Sequence, residues 1–208
     1  MKRKYYGAAK YREEHRKWYA GDSVSAGIGQ GYNTYTPLQI AHAMAVLSNN
    51  GVVFKPHLVK AIQDSRSGER RLTEPKPTDT IALKAEHINV IKNAMAGVNK
   101  EGTSALVFKG VPYTNGGKTG TAQVFSLKGQ KYEASKIDER LRDHALFVAF
   151  APLDKPTIAI AVLVENGGFG SQSAAPIARK VLDFHMLGKA GPDGDVANTS
   201  ASAKVAAR

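Results

Sequence analysis

Two neighbouring segments that are apolar on both faces constrain the fold of this chain more than any other feature. They span residues 145–151 and 157–165, and only residues 152–156 separate them. A loop this short joins antiparallel strands, and strands that are apolar on both faces need cover on both sides of their sheet. Because helices must supply that cover, the sequence predicts an α+β domain with an antiparallel sheet covered by helices. A third strand is predicted over residues 118–125.

Three helices are predicted from capping signals and apolar spacing. The first begins with a capping box in which Thr36 is the N-cap, Pro37 the first helical residue and Gln39 the third. Gly51 ends it, and its broad apolar face predicts a buried helix. A second helix is predicted over residues 84–98, with apolar side chains at positions 88, 91, 95 and 98. Between them we expect an extended segment at 52–61 and a polar loop at 64–79.

The third helix, residues 174–187, is the candidate cover for the sheet. We expect it to pack through one apolar side, which consists of Ile177, Val181, Leu182 and Phe184.

Composition excludes several classes of protein. The chain has 208 residues, enough for one domain, and it contains no cysteine. Disulfide scaffolding, thiolate catalysis and cysteine zinc sites are therefore excluded. No stretch approaches the roughly 20 apolar residues of a membrane-spanning helix.

The two ends differ from the body of the chain. Residues 1–20 form a basic leader in which lysines and arginines alternate with tyrosines and Trp18. With a net charge of +11, this mixture permits binding to single-stranded nucleic acid, although charge runs are more often solvated surfaces. Residues 189–208 are rich in Ala, Ser and Gly, and we expect a disordered tail.

The run of residues 116–123, Gly-Gly-Lys-Thr-Gly-Thr-Ala-Gln, carries the clearest chemical signal. In an extended strand Thr119 and Thr121 share one face, and Gly120 leaves the backbone between them unobstructed. Two hydroxyls beside exposed main-chain groups suit a substrate carboxylate and an acyl carbonyl, and Lys118 adds positive charge there. Taken alone, the triplet is also compatible with a surface lysine in a turn.

Two nucleotide-binding interpretations fail on spacing. A Walker A loop needs glycine six positions before the lysine, where this chain has Pro112, and it needs a helix after the loop. Residues 27–31, Gly-Ile-Gly-Gln-Gly, lack the preceding strand and the acidic residue of a dinucleotide site. We interpret this glycine-rich run as a tight bend that leads into the helix at Thr36.

Several blocks together resemble the transpeptidase domain of class B penicillin-binding proteins. Lys118-Thr119-Gly120 is the third signature of that family, after Ser-x-x-Lys and Ser-x-Asn. Within the class, the insertion at residues 125–144 is most similar to the elongation-type enzymes known as penicillin-binding protein 2. The other blocks that carry the resemblance are residues 21–32, 36–39, 101–103, 117–123, 149–152, 164–168 and 175–178.

The resemblance covers residues 21–188 and implies the C-terminal portion of a β-lactamase/transpeptidase-like domain, a partial domain. It implies a peptidoglycan D,D-transpeptidase that uses a serine for acyl transfer and needs no cofactor or metal. The implied partners are peptidoglycan stem peptides, β-lactams and a membrane glycan polymerase of the elongation machinery, with no nucleic acid. The implied location is the periplasmic face of the bacterial inner membrane, with the anchor absent from this chain.

The family pattern also assigns roles to residues of this chain. Lys118 corresponds to the lysine that bonds the serine of the second motif and assists proton transfer. Thr119 and Thr121 correspond to the residues that bind the donor carboxylate across Gly120, and the Thr121 backbone corresponds to part of the oxyanion hole.

The chain departs from the family in its nucleophile, because no serine stands in a Ser-x-x-Lys pattern. Ser48-Asn49-Asn50 fits Ser-x-Asn by letter, but it lies downstream of the Gly-Ile-Gly-Gln-Gly run, on the wrong side for the family. We expect the chain to be inactive alone. Three hypotheses remain open: a transpeptidase segment, a non-catalytic module that binds peptide through the Lys118 region, and a basic nucleic-acid-binding domain.

The remaining titratable residues have structural interpretations. The histidines at 42, 57, 87, 144 and 185 include no His-x-x-x-His pair, so we expect structural roles for them. The charged run from Asp138 to Asp143 is expected to be a solvated helix or loop.

Overall fold

The computed structural model describes residues 17–124 and 137–188. The helices are α1 (Ala20–Gly27), α2 (Pro37–Ser48), α3 (Ala85–Lys100), α4 (Ala105–Phe108) and α5 (Ala174–Leu187). The strands are β1 (Val52–Phe54), β2 (Ala61–Gln63), β3 (Arg70–Leu72), β4 (Pro77–Thr80), β5 (Gly116–Ala122), β6 (His144–Ala151) and β7 (Ile158–Val164). A short 3₁₀ helix, Glu139–Leu141, precedes β6.

The central sheet has the order β5-β6-β7, and both pairs of strands are antiparallel. The predicted hairpin is therefore confirmed, and helices cover the sheet as predicted. α5 packs on the face that carries Ala145, Phe147 and Ala149, and α2 packs against β6 and β7 on the opposite face. α3 packs against β5. Two small antiparallel pairs, β1–β4 and β2–β3, lie outside this sheet.

Glycines at the start of β5 give the aromatic core its space. A Cβ on Gly117 would lie 2.6 Å from Cζ of Phe147, and one on Gly116 would lie 2.9 Å from the Phe150 ring. Both phenylalanines are fully buried, and Phe147 stacks on Phe108 with 5.7 Å between ring centroids. The strand can lie against these rings only because positions 116 and 117 carry no side chain.

The capping box of α2 is confirmed, since Thr36 and Gln39 exchange backbone-to-side-chain hydrogen bonds of 2.9 and 3.2 Å. The prediction that α2 is a buried helix is wrong for most of its length. Its buried residues are Val46 and Ser48, and Leu38 is 65% exposed. The helix approaches the sheet mainly through its C-terminal half.

The prediction for α5 was correct in extent but wrong in orientation. Its buried residues include Ala174, Ala175, Ala178 and Leu182, whereas Ile177, Val181 and Phe184 are exposed. The small alanines allow the helix to approach the sheet closely, so the larger apolar side chains are turned outward. Of the apolar side that the sequence predicts to pack, only Leu182 is buried.

In α3, two polar residues are buried where the sequence predicts only apolar ones. Ile88 and Met95 are buried as predicted, but Ile91 is exposed and Lys92 and Asn99 are buried. Lys92 Nζ donates to Asn50 Oδ1 at 2.9 Å, and burial lowers the pKa of this lysine. Asn99 donates to Asn115 and accepts from Ser104.

Other differences concern short or charged segments. The polar loop predicted at 64–79 contains β3 and β4, whose residues are all exposed and show no apolar alternation. Asp143, expected in solvent, is 7% exposed, and its Oδ1 accepts from the Val124 N–H at 3.4 Å. This hydrogen bond links Val124, which follows β5, to Asp143 just before β6.

A buried polar network attaches α5 to the chain before β5. Asp183, 2% exposed, accepts from Tyr113 Oη at 2.7 Å and from Arg179 Nε at 2.9 Å. Arg179 also donates to the Val107 carbonyl at 2.7 Å. Burial and the bond to Asp183 raise the pKa of Tyr113 further above neutral pH, where its hydroxyl is already protonated and donates to Asp183.

Most of the leader, the whole tail from residue 189 and positions 125–136 of the insertion lie outside the described residues. Among the helices that the structure describes, none combines the length and the hydropathy that crossing a bilayer demands.

The glycine requirement at position 117 can be tested directly. Gly117→Ala is expected to lower the free energy of unfolding by about 1–3 kcal/mol, the usual cost of overpacking a core, because the new Cβ would overlap Phe147. Urea denaturation measures the change. Gly21→Ala is the matched control, since a Cβ there meets nothing within 4 Å. Equal midpoints for Gly117→Ala and the unaltered chain would contradict this account.

Candidate active site

The predicted site residues lie on β5, which is an edge strand of the central sheet among the described residues. Lys118, Thr119 and Thr121 pair with Val148, Phe147 and Ala145 of β6, respectively. Opposite residues in an antiparallel pair share a face. The two threonines therefore lie on the face covered by α5, and Lys118 lies on the face covered by α2.

The main chain of both threonines points away from β6. Lys118 Nζ donates to the Thr119 carbonyl at 2.8 Å, and Gln30 Nε2 donates to the Thr121 carbonyl at 2.6 Å. The N–H and C=O of one strand residue point to the same side. The Thr119 and Thr121 N–H groups therefore also face the outer edge, where a bound molecule can reach them.

The Thr119 hydroxyl has a partner from a third segment. Thr103, which follows α3, places its Oγ1 3.1 Å from Thr119 Oγ1. Lys118 is exposed, and its Nζ is also 3.5 Å from Thr119 Oγ1. The edge of β5 thus combines an ammonium group, two hydroxyls and two outward main-chain N–H groups, an arrangement suited to an anionic or carbonyl-bearing ligand.

A cavity of about 450 Å³ lies beside this edge. One wall is the segment between α1 and α2, and the other is the α2-side face of the sheet together with Gly120, Thr121 and Ala122. Most of the lining is apolar, and the polar side chains in it include Gln30, Asn33 and His144. His144 Nδ1 accepts from the Asn166 N–H at 2.9 Å, which agrees with the structural role expected for it.

The segment that carries Gln30 has a defined conformation. The Gln30 N–H donates to Ser25 O at 2.9 Å, and Asn33 Nδ2 donates to Ala26 O at 3.0 Å and to Gln30 O at 3.2 Å. Gly29 and Gly31 have positive φ values of 78° and 68°. This agrees with the tight bend that the sequence predicts before α2.

Ser48-Asn49-Asn50 lies away from Lys118. Ser48 is 2% exposed and donates to Ala45 O, and Asn50 accepts from Lys92. Ser48 and Asn49 line a separate cavity beside the start of β7. Since β6 separates β7 from β5, the structure does not bring this triplet to the Lys118 edge.

Sequence reasoning included residues 21–32 and 101–103 among the family-like blocks, but it missed α1 and the contacts of Gln30 and Thr103 with β5. The glycines on either side of Gln30 indicated a bend, but they gave no signal for the role of its side chain. No sequence signal linked it to Thr121, which lies 91 residues away. Only the packing of the 28–36 segment on the sheet edge joins the two.

Comparison with known proteins identifies the family. Residues 6–183 match the model of the penicillin-binding protein transpeptidase domain. The chain therefore belongs to the penicillin-binding protein transpeptidase family.

Individual relatives narrow the similarity to proteins named MrdA and PBP2. The chain is 42% identical over 185 residues to the peptidoglycan D,D-transpeptidase MrdA of Haemophilus influenzae. The alignment covers 85% of this chain and 28% of that protein. It thus spans less than a third of that relative's length. The crystal structure of Pseudomonas aeruginosa PBP2 with WCK 5153 is similar with a TM-score of 0.66 and 38% identity, over 84% of this chain and 34% of that one.

A third similarity is to a chain of a peptidoglycan synthase complex solved to explain the coordination of polymerization and crosslinking. Its TM-score is 0.65 at 28% identity, and the alignment covers 88% of this chain and 29% of that chain.

The bend before α2 provides a local test. Asn33→Ala removes the side-chain hydrogen bonds to the Ala26 and Gln30 carbonyls. The free energy of local opening is expected to fall by roughly the contribution of one hydrogen bond, so the amide exchange rate should rise about tenfold. Hydrogen exchange of the Gln30 amide, followed by NMR, measures this. Asn93→Ala, at an exposed position of α3, is the control. Unchanged exchange of the Gln30 amide in Asn33→Ala would show that other contacts hold the bend.

Proposed function

We propose that this chain supplies the Lys-Thr-Gly strand and part of the substrate cleft of a peptidoglycan D,D-transpeptidase. The observation that carries the proposal is the position of Lys118-Thr119-Gly120 on an outward-facing edge strand of a helix-covered sheet. The 42% identity to a named peptidoglycan D,D-transpeptidase supports the same conclusion.

The reaction requires a serine that this chain does not present in a Ser-x-x-Lys pattern. In the complete protein, the serine Oγ attacks the carbonyl carbon of the penultimate D-alanine of a stem peptide and loses its proton to a nearby base. The carbon–nitrogen bond breaks, and the terminal D-alanine leaves with a proton on its amine. The resulting ester is then attacked by an amine of a second stem peptide, which forms the crosslink and releases the serine.

Each group on the β5 edge has a proposed role in these steps. The Thr119 and Thr121 hydroxyls bind the carboxylate of the terminal D-alanine. The Thr121 N–H donates to the oxyanion that forms on the attacked carbonyl, where a preorganised donor stabilises the transition state more than the ground state. Lys118 Nζ provides positive charge and a proton path to the serine of the second motif.

The exposure of Lys118 supports its proposed role. Among the described residues, its Nζ contacts the main-chain carbonyl and the hydroxyl oxygen of the neighbouring Thr119. Both contacts lie at the surface, so rotation of the side chain toward a serine hydroxyl exchanges one exposed bond for another at little cost.

The partners and location follow from the same proposal. The complete protein acts on stem peptides, is acylated by β-lactams and works with a membrane glycan polymerase on the periplasmic face of the inner membrane. The similarity to a chain of a synthase complex that combines polymerization and crosslinking supports the polymerase as a partner.

The chain alone provides the first test. After incubation with excess benzylpenicillin, intact-protein mass spectrometry is expected to show no adduct, because the serine nucleophile is missing from its required pattern. A stoichiometric adduct that disappears in Lys118→Ala would contradict this expectation. It would identify one of the chain's own serines as the nucleophile.

A chimera tests the site itself. The full chain replaces the matching 185 residues of H. influenzae MrdA, whose remaining sequence supplies the upstream motifs. We expect benzylpenicillin to acylate this chimera, and Lys118→Ala to slow acylation at least about 100-fold, as expected for loss of a proton-transfer group.

Lys76→Ala is the matched control, because Lys76 is exposed and lies in the segment before β4. A folded chimera that is not acylated, or one in which both lysine variants react at the same rate, would overturn the proposed function. The non-catalytic binding module would then be favoured.

A further inference from the structure

The contact between Gln30 and Thr121 connects the bend before α2 to the edge of β5. Its donor-to-acceptor distance is 2.6 Å, and the two residues are 91 positions apart. We propose that Gln30 is a positioning residue, which holds Thr121 so that its N–H faces the reacting carbonyl. This inference rests on the proposed function of the β5 edge.

Gln30 can position Thr121 because its own backbone is held on both sides. Its N–H donates to Ser25 O, and its carbonyl accepts from the Asn33 side chain. A Cβ on Gly31 would lie 3.3 Å from the Ser25 Cβ, so the bend packs closely against the end of α1. The amide of Gln30 therefore projects from a supported point rather than from a free loop.

Thr121 needs an external support because it lies on an unpaired edge. Lys118, Gly120 and Ala122 face β6 with their main-chain groups, whereas Thr119 and Thr121 face outward. A residue in the middle of a sheet has a neighbouring strand on that side to orient its peptide groups. At Thr121, the side-chain amide of Gln30 takes the position of that neighbouring strand among the described residues.

The hydrogen bond from Gln30 acts on Thr121, the residue whose N–H is the proposed oxyanion donor. The Thr121 carbonyl and N–H belong to the same residue and point to the same side of an extended strand. Holding the carbonyl restricts rotation about the Cα–C bond and keeps the residue extended, and this also keeps its N–H directed outward. Gly120, which has no side chain and so the largest conformational freedom, precedes it. Without Gln30, the pair Gly120-Thr121 would have more freedom to twist away.

An oxyanion donor is effective only if it is oriented before the reaction. Loss of the support is therefore expected to slow acylation more than it weakens the non-covalent complex. The opposite possibility is that Gln30 competes with the substrate for the Thr121 carbonyl. In that case its removal would speed acylation.

The first arm of the test uses the full chain alone and does not depend on catalysis. Gln30→Met keeps the length of the side chain and removes its donor, and Gln63→Met, at an exposed position of β2, is the matched control. We expect the NMR amide signals of Thr121 and Ala122 to shift, and the Thr121 amide to exchange faster, in Gln30→Met only. Identical signals in both variants would overturn the inference.

The second arm uses the chimera with H. influenzae MrdA. Stopped-flow measurements with benzylpenicillin separate the binding constant of the non-covalent complex from the rate of acylation. Gln30→Met is expected to lower the acylation rate about tenfold, the factor associated with one hydrogen bond, with a smaller change in the binding constant. Gln30→Glu, which also lacks the donor, serves as the second variant if Gln30→Met does not fold.

The outcomes separate this inference from the proposed function. No acylation of the unaltered chimera overturns the proposed function. An unaltered chimera that reacts at the same rate as Gln30→Met, or more slowly than it, overturns the role of Gln30 alone. Equal losses in binding and in acylation, with a lower melting temperature than Gln63→Met, indicate a general structural role and also overturn it.

Discussion

The in-register pairing of β5 with β6 is the constraint on which the rest of the structure depends. It runs from Gly116 opposite Phe150 to Ala122 opposite His144. The glycines at 116 and 117 leave space for the Phe150 and Phe147 rings, so close packing and strand register require each other. A slip by one residue would exchange the faces of the strand. It would move Lys118 to the α5 side and the threonines to the α2 side.

That register also determines which groups of β5 are available at its outer edge. Alternate residues bond β6, and Thr119 and Thr121, which belong to the other set, direct their main chain outward. The same alternation places both threonine side chains on one face, where Thr103 meets Thr119. The candidate site therefore arises from a rigid strand with local additions from the ends of α1 and α3. Rigid elements position reacting groups more precisely than loops do.

The Lys-Thr-Gly strand and the elements packed around it form a recognisable part of the transpeptidase domain. The sheet and α5 pack on one another through buried alanines and phenylalanines, and the glycine-rich bend contacts the edge of β5 through Gln30. Acyl transfer also needs a nucleophile that is activated by a neighbouring group. The chain spans only 28% of the H. influenzae relative, and its sequence contains no Ser-x-x-Lys pattern.

The sequence by itself determined the three strands, the capped helix at Thr36, the α+β class and the Lys-Thr-Gly motif, because each depends on residues that are close together in the chain. It did not determine which side of α5 packs, since Ala178 and Ile177 both belong to apolar stripes and only the distance to the sheet selects the smaller residue. Nor did it predict the burial of Asp143 or the contact of Gln30 with Thr121. These depend on partners far along the chain, and only the tertiary structure brings Asp143 beside Val124 and the bend at Gln30 beside Thr121, within hydrogen-bonding distance.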